Sequence, residues 1–237
     1  MKKSFNIFFI GIILSCSSIK EENKMIVSGK ISDLRKGIIY LEKFQDTSLV
    51  KIDSFIVKRN GNFKLETKIT LPEVFHIYLN KEDGDSLNDR ITFFGSKGKI
   101  EINTRLKTFE SSAIVIGSEN HDLLEEYRSI IRKFNAKNLD LFTKYLNAQK
   151  EEDYKAIDSL QINIQNLNKR RYLYGINFAN THYEKMISPY IVITELNDAN
   201  PKFLDSIYIK MPEQIKQSKY GKEFFEIIKR NKKILNE

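Results

Sequence analysis

The chain is 237 residues long, 41% hydrophobic and 30% charged, and its single cysteine excludes an internal disulfide, so stability must come from packing. Its formal charge of +8 is dispersed: residues 25–118 hold 15 Lys/Arg against 12 Asp/Glu, residues 119–237 hold 20 against 17, and the first 24 residues carry the remaining +2. No basic stripe tracks a phosphate backbone, which excludes a nucleic-acid partner and leaves the charge to limit self-association or to touch anionic headgroups.

Residues 1–15 read as an export signal. Lys2 and Lys3 form a basic start, Phe5 to Leu14 an apolar core, and Ser15 a small residue beside the cut. As a helix that core is about 15 Å long against a hydrocarbon slab of roughly 30 Å, too short for a permanent span. Cys16 follows directly, and the pattern resembles the bacterial lipoprotein signal, in which the cysteine is diacylated and becomes the first mature residue. That resemblance implies lipid attachment at Cys16 through acyl chains such as palmitate, which at about 0.8 kcal/mol per buried methylene anchor stably when two or three are present. It places the protein in the cell envelope, on the outer membrane, at its periplasmic face or the cell surface. An acylated Cys16 leaves no thiol for redox chemistry, nucleophilic attack or a cysteine metal site. Residues 16–24 read as a lipid-anchored tether, and Lys20, Glu21 and Glu22 resemble a short surface-export tag of Bacteroidota-type lipoproteins or else a charged linker.

Residues 25–118 alternate short runs rich in Ile, Val, Phe and Tyr with polar breaks, which predicts antiparallel sheet. The candidate strands are Met25 to Ser32, Gly37 to Lys43, Val50 to Lys58, Asn62 to Glu66, Glu73 to Asn80, Arg90 to Gly95, Lys99 to Asn103 and Ser112 to Ile116. Asn60 and Gly61 predict a tight hairpin with positive φ at both residues. Phe75, Ile77 and Leu79 fall on one face of their strand and Val74, His76 and Tyr78 on the other. Eight such strands favour a β-sandwich or small barrel.

Residues 119–237 change to helical period. Leu123, Tyr127, Ile130, Ile131, Phe134, Leu141, Phe142 and Tyr145 form one apolar stripe, and Tyr154, Ile157, Leu160, Ile164, Leu167, Tyr174 and Phe178 another, with the break at Asn147 to Lys150. Two such helices fold back as an antiparallel hairpin about 40 Å long. Ser188 before Pro189 and Asn200 before Pro201 each predict a capped helix start, and a last helix runs through Phe224, Phe225, Ile228 and Leu235. The fold class is therefore α+β, with a β domain followed by an all-helical part and no linker between them.

Chemistry-bearing groups are sparse. Asp83, Asp85, Asn88 and Asp89 crowd one loop, but Gly84 is misplaced for an EF-hand and no closing Glu stands at the required spacing, so the cluster reads as a solvated loop. His76, His121 and His182 are scattered and each reads as a surface or hydrogen-bonded histidine. Lys169, Arg170 and Arg171 read as the solvent face of the second long helix. No residue is assigned a catalytic, cofactor-binding or metal-binding role. A groove of Tyr and Phe between sheet and helical hairpin is the expected place for a peptide or glycan.

The stretches VSGKI at 27–31, GIIYLEK at 37–43, VKIDSFIVKRNGNFKLE at 50–66, LPEVFHIYL at 71–79 and AIVIGSEN at 113–120, with Ser188 and Pro189 and the Lys219 to Gly221 run, resemble a domain of unknown function. That domain precedes the thioredoxin-like domain in Bacteroidota-type envelope thiol-disulfide oxidoreductase lipoproteins. Here the chain stops at Glu237, where such relatives continue into their Cys-x-x-Cys domain, so the resemblance implies a stand-alone form and supplies no active-site residue. The expected function is a non-enzymatic, membrane-anchored lipoprotein that binds or scaffolds an envelope protein, peptide or glycan. The alternative is an accessory module working in trans with a thioredoxin-like oxidoreductase.

Overall fold

A computed structural model describes residues 23–45, 47–81 and 90–236. Cys16, the export signal, most of the tether and the cluster Asp83, Asp85, Asn88 and Asp89 lie outside the described residues.

Among the described residues eight strands form two four-stranded sheets packed face to face. The first sheet contains β1 (Lys24–Ser32), β4 (Asn62–Lys68), β7 (Gly98–Arg105) and β8 (Ile114–Ile116), in the order β4-β1-β7-β8. The second contains β2 (Gly37–Gln45), β3 (Ser48–Val57), β5 (Glu73–Asn80) and β6 (Arg90–Gly95), in the order β3-β2-β5-β6. Period-two alternation sends Met25, Val27, Leu65, Ile100 and Ile102 from one sheet against Ile39, Leu41, Phe75, Ile77 and Phe93 from the other.

Two sequence expectations are corrected. One pair is parallel, β1 with β7, with Gly29 opposite Ile102. Alternation reports which face a strand buries and carries no information about the direction of its neighbour. A Cβ on Gly29 would lie 1.7 Å from the Ile102 carbonyl oxygen, so this close pairing requires glycine. The second correction is the β3–β4 connection, a four-residue loop over 58–61 in which only Gly61 takes positive φ (+70°).

The helical part begins with α1 (Glu119–Lys150) and α2 (Tyr154–Thr181), about 48 and 42 Å long at 1.5 Å per residue. The helices reverse over 151–153 rather than at Asn147 to Lys150, because Glu152 takes φ +53° and the Asp153 side chain caps α2 by accepting from the Ala156 N–H at 3.0 Å. Buried residues of α2 are confined to its last turns, Gly175, Ile176, Phe178 and Ala179, so the far end of the hairpin stands clear of the body.

Then follow α3 (Ile187–Glu195), α4 (Pro201–Lys210), the short α5 (Glu213–Lys216) and α6 (Lys219–Asn236). Asn200 caps α4 as its sequence predicts, accepting from Lys202 N–H with Pro201 in the first helical position. Ser188 does not cap α3. It is buried inside the helix, and its hydroxyl donates to the Ala179 carbonyl at 2.7 Å, satisfying one of the free carbonyls at the end of α2.

The two halves share one seam. Phe94 belongs to β6, yet its ring is fully buried in the helical core, edge-on to Tyr190 and Tyr220. The Val74 N–H donates to the Tyr220 hydroxyl at 2.9 Å beside it.

Candidate functional site

The sandwich has one closed side and one open side. On the closed side β3 runs into β4, and the Asp53 carboxylate accepts the Glu66 N–H at 2.8 Å. On the other, β6 and β8 are the last strands of their sheets, and α1 packs across both.

Gly117, at φ +104°, turns the chain out of β8 into the helix, and the Ser96 hydroxyl donates to its carbonyl at 3.2 Å. Ser118 caps α1 by accepting from the His121 N–H, and the Phe94 N–H donates to His121 Nδ1 at 3.4 Å. The first turn of α1 thereby plugs the open side at the Phe94 end of β6. Toward Thr92 it stays open, leaving a cleft of about 590 Å³. That volume suits a small ligand or a short peptide stretch.

One stripe of α1 makes the roof: His121, Glu125, Arg128 and Arg132, spaced four, three and four so that they stack along one face. The adjacent stripe, Leu124, Tyr127 and Ile131, is buried in the helical core and holds the roof in place. Glu125 accepts from Arg128 at 2.9 Å and lies 3.7 Å from Arg132, so one carboxylate faces two guanidinium groups. Ile91, Ala113 and Val115 supply an apolar floor, Thr92 adds a hydroxyl beside the roof, and Glu110 and Ser111 supply the polar opposite wall.

Behind Thr92 a polar row crosses the outer face of the second sheet. Thr92 pairs with His76, and His76 with Glu42, in the strand registers. His76 Nδ1 lies 3.0 Å from the Thr92 hydroxyl, whereas its buried Nε2 has no partner among the described residues. A bare ring nitrogen in that position costs less than a stranded N–H, which favours the tautomer in which Nδ1–H donates to Thr92. Glu42, only 3% exposed, accepts from Arg90 Nε at 3.1 Å instead of orienting His76. Burial holds His76 below the ordinary imidazole value, with Arg90 adding to the effect, and burial does the same to His121.

The Tyr40 and Tyr78 rings of that face stack on each other, with Lys51 over the first and Arg90 over the second. The expected groove of Tyr and Phe is therefore not open: Phe94, Tyr190 and Tyr220 fill the junction, and the accessible cleft beside it is polar. His121 is buried and lines the cleft and His76 stands one residue behind it, whereas His182 packs on Phe178 at the end of α2. Lys169, Arg170 and Arg171 are solvent-exposed on α2 as expected, Arg171 pairing with Glu195 at 2.9 Å. Sequence reasoning missed Glu125, Arg128 and Arg132. Their spacing with His121 was legible as a charged stripe beside the apolar one, but nothing in it indicates the open edge of a sheet. Among the described residues no group of three or more His, Cys, Asp or Glu side chains converges on a metal position, and no helix is long and apolar enough to cross a membrane.

No curated protein matches this chain. Residues 25–124 match the family model described as "Domain of unknown function (DUF4369)", a stretch that takes in all eight strands and the helix turn bearing His121 and stops just short of Glu125, Arg128 and Arg132. The similarity to that domain of unknown function is thus confined to the β-sandwich and the first turn of α1.

Proposed function

We propose that this chain is a lipid-anchored protein of the cell envelope that binds a partner in the cleft under α1 and performs no chemistry on it. The observation that carries the binding role is the cleft itself, where a charged helix stripe converges with an apolar floor at the open side of the sandwich. The anchor rests on the basic start, apolar run and Cys16. The non-catalytic reading is supported by the row behind Thr92. His76 Nδ1 is engaged with the Thr92 hydroxyl at 3.0 Å and Glu42 with Arg90, so these groups are spent on one another within the row.

Two experiments test the two halves of this reading. Replacing Cys16 by Ala is expected to release the protein from the membrane fraction, and retention there would refute the anchor. A photocrosslinking amino acid at Ser111, on the cleft wall, is expected to form an adduct in intact cells that the same probe at exposed Lys64 on β4 does not form. Equal adducts at both positions, or none at Ser111, would refute the site.

A further inference from the structure

We propose that the occupant of the cleft is an extended segment of a partner polypeptide, which adds to the outer edge of β6 as a further strand and turns carboxylate side chains toward Arg128 and Arg132. The inference rests on the cleft being the binding site and adds the class of partner and the mode of docking.

The backbone supplies the first reason. Among the described residues β6 pairs only with β5 and ends its sheet. The Phe94 N–H points away from β5, since it donates to His121. Backbone groups alternate sides along a strand, so the N–H and C=O of Thr92, two residues earlier, point the same way, into the cleft. Phe94 is thus capped by the helix, while Thr92 offers a donor and an acceptor in the geometry of a sheet ladder. Exposed edges of this kind are templates for strand addition, and globular proteins ordinarily cover them.

The two walls supply the second reason, because they match the alternation of a strand. A strand beside β6 would send every other side chain toward the sandwich interior, where Ile91, Ala113 and Val115 wait. The side chains between them would point to the outer face, as Thr92 does, where Arg128 and Arg132 hang from α1. Those two guanidinium groups share the single Glu125 carboxylate, and Arg132 is 65% exposed at 3.7 Å from it. Among the described residues Glu125 is the one carboxylate paired with this roof, which leaves its guanidinium groups able to take a second. Glu110 on the opposite wall disfavours a partner acidic at every position and fits one in which acidic and small apolar residues alternate.

The test uses the purified full chain and a library of short linear peptides. Selected peptides are expected to alternate small apolar with acidic residues and to slow hydrogen exchange at the Thr92 amide. N-methylation of every second peptide nitrogen on the edge-facing side is expected to weaken binding by roughly tenfold or more, and on the other side to leave it unchanged. The Arg128→Ala, Arg132→Ala double variant, altered only at side chains outside the core, is expected to lose the preference for acidic peptides while still binding neutral ones. Peptides that bind the cleft equally well with either set of nitrogens methylated would overturn strand addition and leave the cleft as a site. Selection of no peptide, alongside a persistent Ser111 adduct of non-peptide character, would do the same. Failure of both selection and crosslinking would remove the site and the inference together.

Discussion

Truncating Phe94 to Ala tests whether sandwich and helices form one cooperative body. The ring is fully buried, and although it grows from a strand it sits in the helical core between Tyr190 at 5.4 Å and Tyr220 at 6.1 Å. Loss of a buried Phe costs about 3–5 kcal/mol, and the two edge-to-face contacts, each worth about 0.5–1.5 kcal/mol beyond burial, place Phe94→Ala toward the upper end. The hydrogen bond from the Val74 N–H to the Tyr220 hydroxyl is a smaller link. Tyr220→Phe strands the Val74 N–H and costs about 1–3 kcal/mol. Phe93, next in the chain and equally buried, points into the sandwich core and stacks on Phe75, so Phe93→Ala is the matched control on the other side of the same strand. At about 2–4 °C per kcal/mol for a chain of this size, Phe94→Ala lowers the calorimetric midpoint by roughly 6–20 °C. Wild type and both variants are expected to melt in one transition, since β6 feeds both cores. A loss below about 1 kcal/mol for Phe94→Ala, or two separate transitions in the wild type of which each variant shifts only one, would refute the shared seam.

Gly29→Ala is expected to cost about 3 kcal/mol or more, because its Cβ would meet the Ile102 carbonyl oxygen at 1.7 Å and β1 would have to part from β7. Gly98→Ala, at φ +103° with nothing within 4 Å, carries only backbone strain of about 1–2 kcal/mol; urea titrations that rank the two in the opposite order would contradict the parallel pairing. Stability is also expected to fall on mild acidification. His76 and His121 are held below the ordinary value of 6.5 by burial, so the unfolded chain binds more protons in the window between 6.5 and their folded values. The contribution of both rings is therefore complete above about pH 6.5 and is lost as pH drops through that window. The urea midpoint followed from about pH 7.5 downward should show this slope in the wild type and a shallower one in the His76→Gln, His121→Gln double variant. A wild-type midpoint that rises on acidification would show that the fold favours the charged rings.

Much of the fold was legible because it is written in short-range periodicity. Phe75, Ile77 and Leu79 alternate and are buried in alternation, and the bounds of β5 and β6 are those read from the residues. The apolar stripes of α1 and α2 predict a hairpin, and Asn200 with Pro201 predicts the start of α4. The misses are equally local in cause. Ser188 carries the right residue type for a cap, but its hydroxyl instead donates to the Ala179 carbonyl, a contact set by how α3 packs on the end of α2. The helix reversal shifts to Glu152 because a left-handed residue plus an Asp153 cap can end a helix in which every earlier position is helix-compatible.

The linear order of residues determined which faces are apolar and where strands give way to helices, since each depends on neighbours within one or two turns of chain. Tertiary structure alone decided that β7 lies parallel to β1, that Phe94 turns its ring into the helices, and that the stripe from His121 to Arg132 hangs over the outer edge of β6. Those outcomes join segments far apart in the sequence through packing and backbone pairing, and burial patterns along a single strand or helix are the same whichever partner covers them.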